Sequence, residues 1–144
     1  MDEKVLKLKT PEDCEIFAVN VTRLGHPELA AQARERSVQL RAASYGASTD
    51  VEKECLEAIF AYEEALTIKN GKRTRASRTW QMVDRHGILS AIERAVNRKD
   101  DALGYLMLKD AGLQGYTFEA IVLRHPSIFS PDAVNVARMR AAER

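Results

Sequence analysis

Apolar residues recur along most of this chain at steps of three and four. The clearest run lies between Ser48 and Lys69, where Val51, Cys55, Ile59, Tyr62 and Leu66 follow at steps of four, four, three and four. That spacing puts them on one side of a helix, so the side is read as a core seam. Glu52, Lys53, Glu54, Glu57, Glu63 and Glu64 fill the intervening positions, which predicts an acidic outer face, and Asn70-Gly71 supplies a left-handed stop.

The same punctuation frames the rest. In "KTPEDCEIFAVNVTRLG" (9–25), Thr10 is a capping residue, Pro11 suits the first helical position, Asp13 lies in the first turn and Gly25 ends the element. Ile16, Phe17, Val19 and Val21 are too dense for a solvent-facing helix; their partial alternation also fits a short strand, but the cap favours helix. "HPELAAQARERSVQLRAASYG" (26–46) follows, with Pro27 near its start, Leu29, Ala33, Val38 and Leu40 inside and Gly46 past its end; it reads as an amphipathic helix with an Arg/Glu outer face. "SRTWQMVDRHG" and "ILSAIERAVNRK" read as two short helices meeting at Gly87, and "DDALGYLMLKDAG" as another. "TFEAIVLRH" is capped by Thr117, and "SPDAVNVARMRAAE" by Ser130 with Pro131 following. The expectation is one compact all-α domain over 1–144, a multi-helix bundle of roughly eight short to medium helices with connections of a few residues.

Composition supports a folded chain: 144 residues, 45% hydrophobic and 30% charged, with only seven Gly and four Pro. No apolar run approaches the roughly 20 residues that cross a bilayer, and the charged start "MDEKVLKLKT" is unlike a signal peptide, so the expected location is cytoplasmic with no membrane partner. Cys14 and Cys55 sit in helical patterns without CxxC spacing, which predicts reduced, buried thiols.

Charge changes the picture most. The net value of +1 hides three unequal parts. Residues 1–68 hold 8 Lys/Arg against 13 Asp/Glu, residues 69–99 hold 9 against 2, and residues 100–144 hold 5 against 6. A one-sign patch concentrates polyanions whatever the total charge, so the middle third is the candidate surface. Its core is "KNGKRTRASRTWQMVDRHG" (69–87). Lys69, Lys72, Arg73, Arg75 and Arg78 straddle a loop and a helix start, where cations oppose the helix dipole and backbone N–H groups are free for phosphate oxygens. Arg85, Arg94, Arg98 and Lys99 extend the patch, with Thr74, Ser77 and Thr79 as neutral donors. Trp80 is read as core in preference to a base-stacking platform. The competing account has these cations neutralised by Glu57, Glu63 and Glu64 of the preceding helix.

Two motif likenesses bear on DNA. "TWQMVDRHGILSAIERAV" resembles a helix-turn-helix, with Gly87 in the turn and Ser90, Arg94 and Arg98 on the second helix, although His86 and Glu93 stand where that pattern wants apolar residues. "AGLQGYTFEAI" (111–121) resembles the helix-hairpin-helix that binds DNA backbone, but Gln114 replaces its second Gly, and a plain glycine-broken connector is the better account. An echo between 79–97 and 117–135 needs gaps of opposite sense and is treated as incidental.

No catalytic residues stand out. His26, His86 and His125 show no metal-ligand spacing, there is no GxSxG or phosphate-cradling Gly loop, and no cofactor or metal is implied. An enzyme whose site is assembled from distant residues is the less favoured alternative. The sequence thus predicts a nucleic-acid-binding domain, DNA preferred to RNA on the helix-turn-helix likeness, as an accessory or regulatory part of a DNA-processing system. The alternative is a protein-interaction or self-assembly module in which the acidic helices of one copy meet the basic third of another.

Overall fold

Capping chemistry sets the helix boundaries. The computed structural model describes residues 1–98 and 102–144, and among them finds nine α-helices and no strand. A single turn, α1 (Glu3–Leu6), precedes α2 (Pro11–Arg23), whose cap Thr10 accepts a hydrogen bond from the Asp13 N–H at 3.1 Å. Next come α3 (Pro27–Tyr45) and α4 (Asp50–Asn70), the latter capped by Thr49 and closed by Gly71 in the left-handed conformation. Two ten-residue helices follow, α5 (Ser77–His86) and α6 (Ile88–Asn97), then α7 (Ala102–Asp110) and a 3-10 turn over Gln114–Tyr116. The chain ends with α8 (Phe118–Arg124) and α9 (Pro131–Glu143), whose caps Thr117 and Ser130 accept from the N–H groups of Ala120 and Ala133. The expected all-α architecture stands, and the strand alternative for residues 16–21 falls to the Thr10 cap.

Helix α4, about 31 Å long at 1.5 Å per residue, is the central pillar. One flank carries the α2–α3 hairpin, and the other meets α6 and α8, which pack with α5 and α9. Leu56, Ile59, Ile92, Val96, Ile121 and Val122 are fully buried at that second junction. The predicted seam is therefore only part of what α4 buries. Most of its circumference is covered, and Glu63 and Glu64, expected on an acidic outer face, are only 5% and 4% exposed.

A similar correction applies to α3. It lies between α2 and α4, so its arginines are drawn partly inside. Arg36 donates to the Leu8 carbonyl at 3.2 Å and fastens the start of the chain, while Arg34 donates to the Ala111 carbonyl at 3.3 Å. The latter bond brings the segment after α7 against α3, and the approach there demands glycine. Gly112 has φ +77°, and a Cβ on it would lie 2.5 Å from that of Ala31. This packing accounts for the glycine of the helix-hairpin-helix likeness without a phosphate. Ile16 and Val19, expected inside, are instead 61% and 60% exposed on the outer side of α2.

Both cysteines are free and buried, as expected. Burial pushes the Cys55 thiol up to about 12. No helix among the described residues is long and apolar enough to cross a membrane.

Candidate functional site

The basic stretch begins where α4 stops. After Gly71 the chain is tied down by its own polar groups: the Thr74 N–H donates to Thr67 Oγ1 at 3.0 Å, and Asn70 Nδ2 donates to Thr74 Oγ1 at 3.1 Å. Two buried carboxylates of α4 then fasten it from below. Glu63 Oε2 accepts from the Ala76 N–H at 2.8 Å and from Trp80 Nε1 at 2.7 Å. Trp80, 8% exposed, also stacks on Tyr45 and meets Phe60 at centroid distances of 5.5 and 5.2 Å. It is core, as expected, and offers no face to a base.

Glu64 takes Arg73. Both terminal nitrogens of Arg73 lie 3.3 Å from Glu64 Oε1, Ser37 Oγ donates to the same oxygen, and Glu15 pairs with Arg73 from the α2 side. Burial opposes the charge of Arg73, but Glu64 and Glu15 more than offset it and raise its pKa above the ordinary arginine value. Arg41 approaches Glu64 at 3.9 Å from α3. The competing account is thus right for Arg73 and for no other cation of the stretch. Lys69, Lys72, Arg75 and Arg78 are exposed and form no ion pair among the described residues.

Arg75 and Arg78 flank the start of α5, which has no side-chain cap and no acid in its first turn. They open onto a cleft of about 480 Å³ between α4, the start of α5, the end of α6, α7, the start of α8 and α9. Arg98, just past α6, joins them there without an ion pair among the described residues. Arg140 from α9 and Arg144 just past its end complete the ring. Arg140 pairs with Glu119 at 3.1 Å and donates to the Arg98 carbonyl, and Arg144 lies 4.4 Å over the Tyr105 ring and 3.7 Å from Glu119. Glu119 is the one carboxylate set among five arginines in the described lining. Tyr62, Tyr105, Tyr116 and Phe118 supply aromatic walls, and Thr79, a buried residue, also lines the cleft.

The structure therefore divides the predicted residues. Arg75, Arg78 and Arg98 come together. Lys72 and Arg73 face a separate groove between α2 and the end of α4, while Lys69, Arg85 and Arg94 are exposed outside both. Lys99 lies outside the described residues. Arg140 and Arg144 went unpredicted, although their spacing of four on a capped helix signals a shared face. Summing charge over residues 100–144 concealed them.

Helices α5 and α6 do meet at Gly87, but that residue alone separates them, whereas a helix-turn-helix uses a turn of three or four. Ala91, Ile92 and Val96 of α6 are buried, and the side chain of Glu93, which broke the sequence pattern, accepts from the Ser130 N–H at the start of α9. The hairpins around Gly87 and around 125–130 have connections of one and six residues, so the sequence echo has no structural counterpart.

His125 lies 2.5 Å from Glu54, which also accepts from Arg124 at 2.9 Å. Burial would raise the Glu54 pKa, but these hydrogen bonds bring it below the usual carboxylate range. This trio does not line the arginine cleft. Among the described residues no group of three His, Cys, Asp or Glu is placed to hold a metal.

Fold and site together define an all-helical protein with an arginine-ringed, aromatic-walled cleft. No family model matches the chain, no curated protein matches its sequence, and no solved structure matches it.

Proposed function

We propose that this chain is a nucleic-acid-binding domain of the cytoplasm whose phosphate contacts are made at the cleft by Arg75, Arg78 and Arg98. One observation carries the reading: three guanidinium groups from two separate segments meet at one cleft with no carboxylate paired to any of them among the described residues. Uncompensated arginines at an uncapped helix start are suited to phosphate oxygens, with the fork of each guanidinium and the backbone N–H groups as donors. The one-residue joint at Gly87 withdraws the reason for preferring DNA, so DNA and RNA strands are compared on equal terms.

Fluorescence anisotropy against labelled single strands and duplexes at two salt concentrations tests this. Three released counterions give a slope of log K against log salt of about −2 for a single strand and about −3 for a duplex. Arg75→Ala with Arg78→Ala lowers affinity at least tenfold while the melting curve stays put. Salt-independent binding, or binding unchanged in the double variant, rules the reading out.

A second reading, a protein-interaction module, is favoured by the other groove. Ile16, Val19 and Ile68 stand 61%, 60% and 51% exposed around a space of about 640 Å³. The charge-matched form of that reading is weakened because Glu63 and Glu64 are spent inside the protein. Light scattering at low and high salt, with and without Ile16→Asp, separates apolar self-association from the charge-driven kind.

A further inference from the structure

We infer that the cleft receives the terminal phosphomonoester nucleotide of a single strand, and not the backbone of a duplex; this rests on the nucleic-acid reading above. Size is the first reason. At about 480 Å³ the cleft lies in the range of pockets for single small molecules, about 300–1,000 Å³. A duplex, whose major groove alone is about 12 Å wide, can touch the rim but cannot enter. A nucleotide at a strand end can, because it has no stacked neighbour on one side.

Thr79 is the second reason. It lines the cleft with only 5% of the residue exposed, and its hydroxyl, which has no hydrogen-bond partner among the described residues, is not sealed in the core but stays accessible as a donor. Thr79 is the third residue of α5, whose first N–H groups have no side-chain cap, and Arg78 precedes it. Hydroxyl, N–H groups and guanidinium together make a donor set for the several oxygens of one anion.

Charge is the third. A phosphomonoester carries about −1.5 to −2 at neutral pH, where an internal phosphodiester carries one unit. Arg75, Arg78 and Arg98, none of them paired among the described residues, suit the dianion better. Phe118 in the wall gives the attached base an apolar, stackable surface.

Competition binding with unlabelled octathymidylates tests this: one with a 5′-phosphate, one with a 3′-phosphate, one with hydroxyls at both ends, and a blunt duplex of equal length. Thymidine monophosphate and inorganic phosphate run as free-ligand arms. At least one phosphorylated strand is expected to compete ten or more times better than the hydroxyl-ended strand and the duplex. Thr79→Val, a near-isosteric change that removes only the unmatched hydroxyl, is expected to cut that preference at least threefold without lowering the melting temperature. Arg78→Ala, at an exposed position, provides a second variant and is expected to abolish it. Equal competition by phosphorylated and hydroxyl-ended strands overturns the inference and leaves the nucleic-acid reading intact. Competition by the free ligands with none by any strand overturns both.

Discussion

Replacing Glu63 with alanine strikes the joint between α4 and α5. The carboxylate is 5% exposed and satisfies two donors with one oxygen, the Ala76 N–H at 2.8 Å and the Trp80 indole N–H at 2.7 Å. Alanine leaves both donors buried and unmatched, at about 1–3 kcal/mol each, and relief from desolvating the carboxylate offsets part of that. The expected loss is about 2–4 kcal/mol, a large share of the roughly 5–15 kcal/mol that holds a domain folded. For a chain of this length that lowers the melting temperature by about 6–15 °C. Urea unfolding followed by Trp80 fluorescence reads the loss directly, since this is the only tryptophan. Glu63→Gln keeps an oxygen in place and is expected to lose only about 1 kcal/mol, the difference between a charge-assisted acceptor and a neutral one. Alanine behaving within about 0.5 kcal/mol of the parent protein, at the scale of an uninvolved surface change, would refute the anchoring role. Glutamine as damaging as alanine would show that charge, and not acceptance, is what the site needs.

The arginines should separate cleanly. Arg73→Ala strips Glu64 of its close partner and is expected to cost about 1–3 kcal/mol in urea unfolding with strand affinity changed less than threefold, whereas Arg75→Ala does the reverse. Gly112→Ala combines φ +77° with a 2.5 Å approach to Ala31, so a loss above about 2 kcal/mol is expected; in an Ala31→Gly background the collision is relieved and the same change is expected to cost only about 1 kcal/mol of backbone strain, measured against Ala31→Gly alone. For Glu54, hydrogen bonds from His125 and Arg124 hold the folded-state pKa below its unfolded value. Its stabilisation is therefore complete above the unfolded pKa and is lost as pH falls through the folded one. Melting temperatures measured from about pH 6 to 3 are expected to fall less steeply on the acid side in Glu54→Gln.

Helices were legible because their signals are local. Thr10, Pro11, Gly46, Gly71, Ser130 and Pro131 each act within a turn of where they sit, and caps of this kind report themselves in sequence. What failed was assigning faces from a single seam. For α4 the steps of three and four find one stripe, but the α2–α3 hairpin covers the opposite side, and nothing in the local pattern announces a second packing layer. Glu64 was misplaced for that reason, and so were the arginines of α3, whereas Glu63 is covered by the return of Ala76 and Trp80 over α4. Ile16 and Val19 failed in the other direction, as apolar residues with no element laid over them. The cleft was half legible: Arg75 and Arg78 belong to a contiguous charged stretch, whereas Arg140 and Arg144 reach it only through the fold.

Adjacent residues Glu63 and Glu64 point about 100° apart around α4, and this angle gives the loop between α4 and α5 its geometry. Glu64 pulls Arg73 toward α2 and α3, while Glu63 pulls Ala76 and Trp80 toward the core on the other side. Between and beyond these anchors the long side chains left without an internal acceptor among the described residues are Arg75 and Arg78. Neutralisation of part of the basic stretch is thus the condition for presenting the rest. A loop anchored at both ends holds its free guanidinium groups at fixed positions, so less order has to be imposed when an anion arrives. Two carboxylates that a count of charges would set against the cations serve instead to aim them. The Glu63→Ala variant should accordingly weaken strand binding even under conditions where it remains folded, a coupling that a surface arginine on an unanchored loop would not show.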